Sequence, residues 1–244
     1  MTDRESLRAA GARIRAELNI ADEAGQELAP GFGKLADELA FGKVWARPGL
    51  RMNERMLATL SALTSRQYLP QLATYVEAAL HIGMPAEAIQ EVMIHCSLYS
   101  GLSTAENSLE VVGQILEETG TPVPHIEGPE LDLDALMTQG LDTMKALHQD
   151  RAEQAYAAPD AGAPTALYPT AIQYGYGTIW NRPGLTRRER MICSVAAFTA
   201  IEAPTQRHKF YRSALNVGLS REEIIELLDT AEGFREVSTR SVKK

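Results

Sequence analysis

The chain has 244 residues, of which 45% are hydrophobic and 23% charged, with a formal net charge of -8. That balance fits a folded globular protein with one substantial core or two modest ones, and excludes a disordered or fibrous chain. No basic stripe and no apolar run near the roughly 18 residues of a membrane helix is present, so neither nucleic acid nor membrane is expected as a partner.

Apolar residues recur at helical spacing and strand-like alternation is nearly absent, so the reading is all-α. A first helix is expected from about Thr2, with Glu5 completing its capping box. Met1 to Leu18 carries scattered Arg and Glu and no apolar core with a cleavage site, so no secretory signal is read there. Gly83 closes an apolar run where a helix would end left-handed, and Pro85 opens the next helix through Ile89, Val92, Met93 and Cys96. Ser103 and Glu106 predict a capping box for a helix through Val112 and Ile115. Gly120–Pro129 reads as a loop, a helix is expected from about Asp132 to Ala155, and Ala157–Pro164 reads as the linker. Thr186-Arg187-Arg188-Glu189 is a further capping box, opening a helix through Met191, Val195 and Phe198. Gly218 and Ser220 then repeat the stop and start of Gly83 and Pro85.

Sliding the chain by 135 positions lays Phe41–Leu50 on Tyr176–Leu185 without a gap, and Glu54-Arg55-Met56 on Glu189-Arg190-Met191. Of the 59 pairs from Phe41 to Tyr99, 18 are identical, which establishes a duplication. The two modules are expected to superpose about a pseudo-twofold axis. Domains are read as an N-terminal helical extension (1–34), a first module (35–119), a connection (120–169) and a second module (170–244). Cys96 and Cys193 show no disulfide spacing, which fits core thiols in a reducing cytoplasm. Five scattered histidines without a carboxylate cluster predict no metal site.

The ordered pattern Gly-x-x-Trp-x-Arg-Pro-Gly-Leu, Glu-Arg, Ala-Leu-x-x-Gly, Glu-x-Ile-x-Glu resembles the carboxymuconolactone decarboxylase family. That resemblance implies an AhpD-like helical bundle and, for a fused double module, a homotrimer. Family members that reduce peroxides use Cys-x-x-Cys and then a histidine; the matching places hold Tyr68, Gln71 and Tyr75, and in the second module Ala203, Gln206 and Phe210. Without a thiolate pair, thiol peroxidase chemistry is excluded.

What the resemblance leaves is a cofactor-independent lyase or isomerase, acting by acid–base chemistry on a small oxygenated acid, lactone or cyclic enone. The alternative is a non-catalytic binding or assembly module. Decarboxylation needs a cation to seat the carboxylate and an acid to protonate the carbanion. Tyr75, His95, Tyr68 and Tyr99 are the candidate acid–base residues, because the second module offers Phe210, Thr230, Ala203 and Phe234 in their places. Arg47 and Arg182, beside Pro-Gly turns, are candidate carboxylate ligands, and Trp45 and Trp180 candidate pocket walls. On this reading the first module bears the site and the second is scaffold. His81, His125 and His148 are assigned no role, the last because its helix face reads as polar. Arg55 and Arg190 are expected to pair with Glu91 and Glu226, each within its own module.

Overall fold

The computed structural model describes residues 3–20, 30–152 and 168–233, and every regular element among them is helical. Helix α1 is Arg4–Glu17; α2 is Phe32–Ala36, continuing as a π-helix over Asp37–Trp45. Then follow α3 (Met52–Arg66), α4 (Leu69–His81), α5 (Ala86–Ser100) and α6 (Leu102–Glu118). Helix α7 is Leu133–His148, and α8 is Tyr168–Thr170 with π-helical Ala171–Thr178 and a 3₁₀ turn at Ile179–Asn181. The last three are α9 (Arg187–Ala200), α10 (Pro204–Asn216) and α11 (Arg221–Gly233).

The Thr186–Glu189 capping box forms. At the first helix the cap is Asp3, whose carboxylate accepts from Ser6 N at 2.7 Å. Thr2 lies outside the described residues. Ser103 does not cap: the cap is Gly101, two residues earlier, which at φ 103° turns the chain straight out of α5, a conformation glycine tolerates. Helix α7 stops at His148, where Gln149 turns to φ 53° and a 3₁₀ turn follows over Gln149–Arg151; the expected end at Ala155 lies outside the described residues. The expected linker at Ala157–Pro164 lies outside the described residues.

Helices α9, α10 and α11 repeat α3, α4 and α5 at the 135-residue interval. The repetition extends to α1 and α7. Gly11 of α1 packs so closely on α2 that a Cβ would lie 2.6 Å from the Asp37 carbonyl oxygen, and Gly42 faces the Leu7 carbonyl in return. Gly140 and Gly177 make the same contact between α7 and α8, against the Ile172 and Leu136 carbonyls. Both α1 and α7 therefore play one part, although they lie in the segments read as extension and connection.

Helices α3 and α9 pack on each other at the centre. They are buried almost all round, and several of their hydroxyls turn back on the helix: Ser61 donates to Leu57 O (2.7 Å), and Thr199 to Val195 O (2.7 Å). The arginines of these helices pair across the modules, not within them. Arg55 donates to Glu226 Oε2 (3.3 Å), and Arg190 to Glu91 Oε2 (2.9 Å). Arg47 holds the other oxygen of Glu226 at 2.6 Å, and Arg182 the other oxygen of Glu91 at 2.8 Å. Intramodule pairing fails because the carboxylates of Glu91 on α5 and Glu226 on α11 each face the partner module's turn. Gly49 (φ 108°) and Gly184 (φ 89°) lie against the Cγ atoms of Glu226 and Glu91, where a Cβ would come within 2.8 and 2.9 Å. The Arg-Pro-Gly motif is thus one half of a lock whose other half is the distant glutamate of the opposite module.

Removing one partner of a buried ion pair leaves an uncompensated charge, at a cost of about 3–5 kcal/mol. Glu91→Ala and Glu226→Ala are each expected to destabilise the protein by about that amount in urea unfolding, while Glu5→Ala, on an exposed turn, stays within about 0.5 kcal/mol. Losses near 0.5 kcal/mol at both buried carboxylates would overturn the lock.

Candidate functional site

The four candidate acid–base residues do not converge on one pocket. Tyr68 is exposed at the start of α4, its hydroxyl accepting from Arg66 Nε at 3.1 Å. Tyr75 lies in the first module's core, stacked on Trp45 with ring centroids 5.8 Å apart. Burial holds its phenol well above the ordinary 10, against the opposing charge of Arg15, so it stays neutral.

His95 and Tyr99 lie one turn apart on α5 and reach into the second module. His95 Nε2 is 2.9 Å from Ser194 Oγ, and the Tyr99 hydroxyl is 2.7 Å from the same oxygen. Ser194 gives its single proton to the Arg190 carbonyl at 2.8 Å. It therefore accepts from both neighbours, which sets His95 as the Nε2–H tautomer. Burial above all, and then the charge of Arg190, hold the imidazole well below its ordinary 6.5, so it is neutral. Two first-module residues thus complete a cluster on the second module's helices.

His148 joins that cluster. The face that reads as polar in sequence is buried, because α7 packs against α8 and α10. Its Nδ1 is 2.7 Å from Ser213 Oγ and its Nε2 3.0 Å from the Tyr176 hydroxyl. A signal for this existed: Leu136, Gly140, Met144 and His148 recur every four residues, a buried stripe that ends on the imidazole.

Ring contacts close into a circuit. His95 meets Trp180 (centroids 4.9 Å), Trp180 meets Tyr176 (6.3 Å), Tyr176 meets His148 (5.7 Å) and His148 meets Phe210 (5.3 Å). Phe210 meets Tyr99 at 6.3 Å, and Tyr99 returns to His95 at 5.6 Å. The repeat places Phe41, Trp45, Tyr75 and Thr230 where this circuit has Tyr176, Trp180, Phe210 and His95, so the first module lacks its imidazole at that corner.

Trp180 thus lines the circuit and Trp45 backs Tyr75. Arg47 and Arg182 are both held by carboxylates; Arg47 also pairs with Asp229 at 2.7 Å, and Arg182 donates to Ile126 O at 3.2 Å. Arg182 lines two surface clefts, of about 240 and 370 Å³. Cys96 and Cys193 are fully buried; burial pushes the Cys96 thiol up to about 12 and raises Cys193 as well. No helix among the described residues is long and apolar enough to cross a membrane.

An all-helical chain whose two like modules exchange buried ion pairs defines a double-module helical bundle. The model of the carboxymuconolactone decarboxylase family matches residues 30–114 and 165–238, and the chain belongs to that family. It is 28% identical over 89 residues to the 4-carboxymuconolactone decarboxylase of Acinetobacter baylyi, over 36% of this chain and 66% of that protein. It is 27% identical over 85 residues to the nitrosuccinic acid decarboxylase of Metarhizium robertsii, over 35% of this chain and 59% of that one. The chain thus spans about three-fifths to two-thirds of these curated relatives' length. A solved Burkholderia xenovorans structure, described as a gamma-carboxymuconolactone decarboxylase subunit, superposes with a TM-score of 0.58 at 21% identity. The match covers 95% of this chain and 91% of that one, so the fold extends over both modules.

Because folded His95 refuses a proton that the unfolded chain accepts, stability is expected to fall as pH drops below the ordinary 6.5. Glu54 adds to this at lower pH. Burial works to raise its pKa, but Arg51 and Arg188 outweigh that and hold it at about 2, so its contribution is lost as pH falls from 4.5 towards 2. Urea midpoints at pH 7.5 and 5.5 check the histidine part: the decline should shrink in His95→Thr, and an equal decline in both proteins would refute it.

Proposed function

We propose that the protein is a decarboxylase-like lyase, working by acid–base chemistry without a cofactor on a small organic acid held against the second module's aromatic circuit. The observation that carries this reading is the pair of imidazole–hydroxyl groupings on one circuit, His95–Ser194–Tyr99 and His148–Tyr176–Ser213. Both relatives named above are decarboxylases by name, which supports the reaction class.

In such a reaction the bond to the carboxylate carbon breaks and carbon dioxide leaves. Its electron pair stays on the substrate as a carbanion or enolate, and an acid returns a proton to carbon. His95 is neutral and Tyr99 is one hydrogen bond away, so the proton would come from a neutral O–H or N–H. The surrounding rings make a setting of low polarity, which strengthens the electrostatics around the developing charge. Arg47 and Arg182 hold the modules in register on this reading, and Tyr68 stands apart from the chemistry.

Tyr99→Phe and His148→Ala are expected to lower turnover by roughly 10²-fold, the loss typical of a general acid–base group, while Tyr68→Phe leaves it unchanged. The measurement is carbon dioxide release from a panel of small carboxylic acids, with a thermal melt of each variant. Release unaffected by either circuit substitution would sink this site. A second reading, a binding or assembly module, draws on the dispersal of Tyr68, Tyr75 and His95 to three places. It is favoured if acids raise the melting temperature but none is consumed.

We also propose a homotrimer. Phe32, Leu35 and Leu39 on α2, and Leu133, Leu141 and Tyr174 on α7 and α8, are exposed apolar residues, and Leu39 and Tyr174 are repeat partners. One chain thus offers related apolar faces on both modules, as a closed ring requires. Light scattering at micromolar concentration should give three times the 26.7 kDa of the chain, and a monomer mass would refute it.

A further inference from the structure

Arg55 and Arg190 occupy equivalent places, yet their guanidinium groups are not equally satisfied. Arg55 Nη1 donates to Thr230 Oγ1 at 2.6 Å. Arg190 uses Nη2 three times, towards Glu91, the Arg182 carbonyl and the Pro183 carbonyl, while its Nη1 and Nε have no partner. The reason is one exchange in the repeat: His95 stands where Thr230 stands in the other module. Its imidazole turns Nε2 to Ser194 and leaves Nδ1 without a partner, although the residue is fully buried. A buried N–H that forgoes its hydrogen bond is costly, and more so on a charged group.

We infer that a single ordered water molecule is bound between Arg190 Nη1 and His95 Nδ1. The chemistry selects water over an anion. Arg190 needs an acceptor, whereas Nδ1 of the Nε2–H tautomer is a bare lone pair and needs a donor. Chloride or a carboxylate answers the first need but sets a second electron pair against the imidazole. Glu91 already supplies the negative charge, with Oε2 on Arg190 and Oε1 on Arg182. Water accepts from Nη1 and donates to Nδ1, and so replaces the Thr230 hydroxyl at one remove. Arg190 Nε lies on the other side of the guanidinium and takes no part. This inference stands independently of the decarboxylase reading.

A crystal structure of the full chain at about 1.5 Å, the range where ordered waters are well defined, tests it, with a second crystal soaked in bromide. A water peak within about 3.2 Å of both Arg190 Nη1 and His95 Nδ1, without anomalous signal, is expected. In His95→Thr the peak should vanish and the introduced hydroxyl should take Nη1 directly. No density in the natural protein, bromide at that point, or a peak unmoved in His95→Thr would each overturn the proposal. The natural protein alone decides it if the variant does not fold.

Discussion

A guanidinium cannot discard its charge at any pH a protein survives, and Arg55 and Arg190 are both buried away from bulk solvent. The chain must bring a carboxylate to each, and it brings that carboxylate from the opposite module. Much else follows from this arrangement. The turn glycines are required because the glutamate side chains lie against them, and the outer arginines take the second carboxylate oxygens. Central packing of α3 on α9 then puts α5 and α11 each where it can reach the partner module's arginine. The register of one module is therefore fixed by the other.

Within that symmetric frame the two ends of the axis have diverged. Ser194, the repeat partner of Thr59, gathers three hydrogen bonds, whereas the Thr59 hydroxyl is buried without a partner. Thr230 meets Arg55 Nη1 directly, whereas His95 makes no direct hydrogen bond to Arg190 Nη1. The imidazole at this corner is therefore the point where the two halves of the repeat differ most in their buried hydrogen bonding.

The duplication, the helical class and most boundaries were legible because each depends on local spacing: glycine after an apolar run, a capping box, the 135-residue interval. Partnerships were not. Arg55 and Glu91 share a module and a repeated spacing, and nothing in that spacing records that their true partners are Glu226 and Arg190. His95 and Tyr99 were legible as a departure from the repeat, but the module they serve depends on how α5 crosses the axis. His148 was hidden by its neighbours: Lys145, Gln149 and Asp150 make the end of α7 look solvated. Its four-residue stripe with Leu136, Gly140 and Met144 would have corrected that, had the packing of α7 been weighed along with its polarity.

The glycine contacts Gly11–Gly42 and Gly140–Gly177 carry a different message. Equivalent helices are 135 residues apart from α2 onward, but α1 and α7 match at an interval of 129. Six residues have therefore come or gone between the first helix and the second in one copy and not the other, while the crossing of the two helices has stayed the same. Natural change of length is accepted in that connection and refused at the crossing. The connection is thus the place where the chain could take on new sequence without disturbing the ion pairs at its centre.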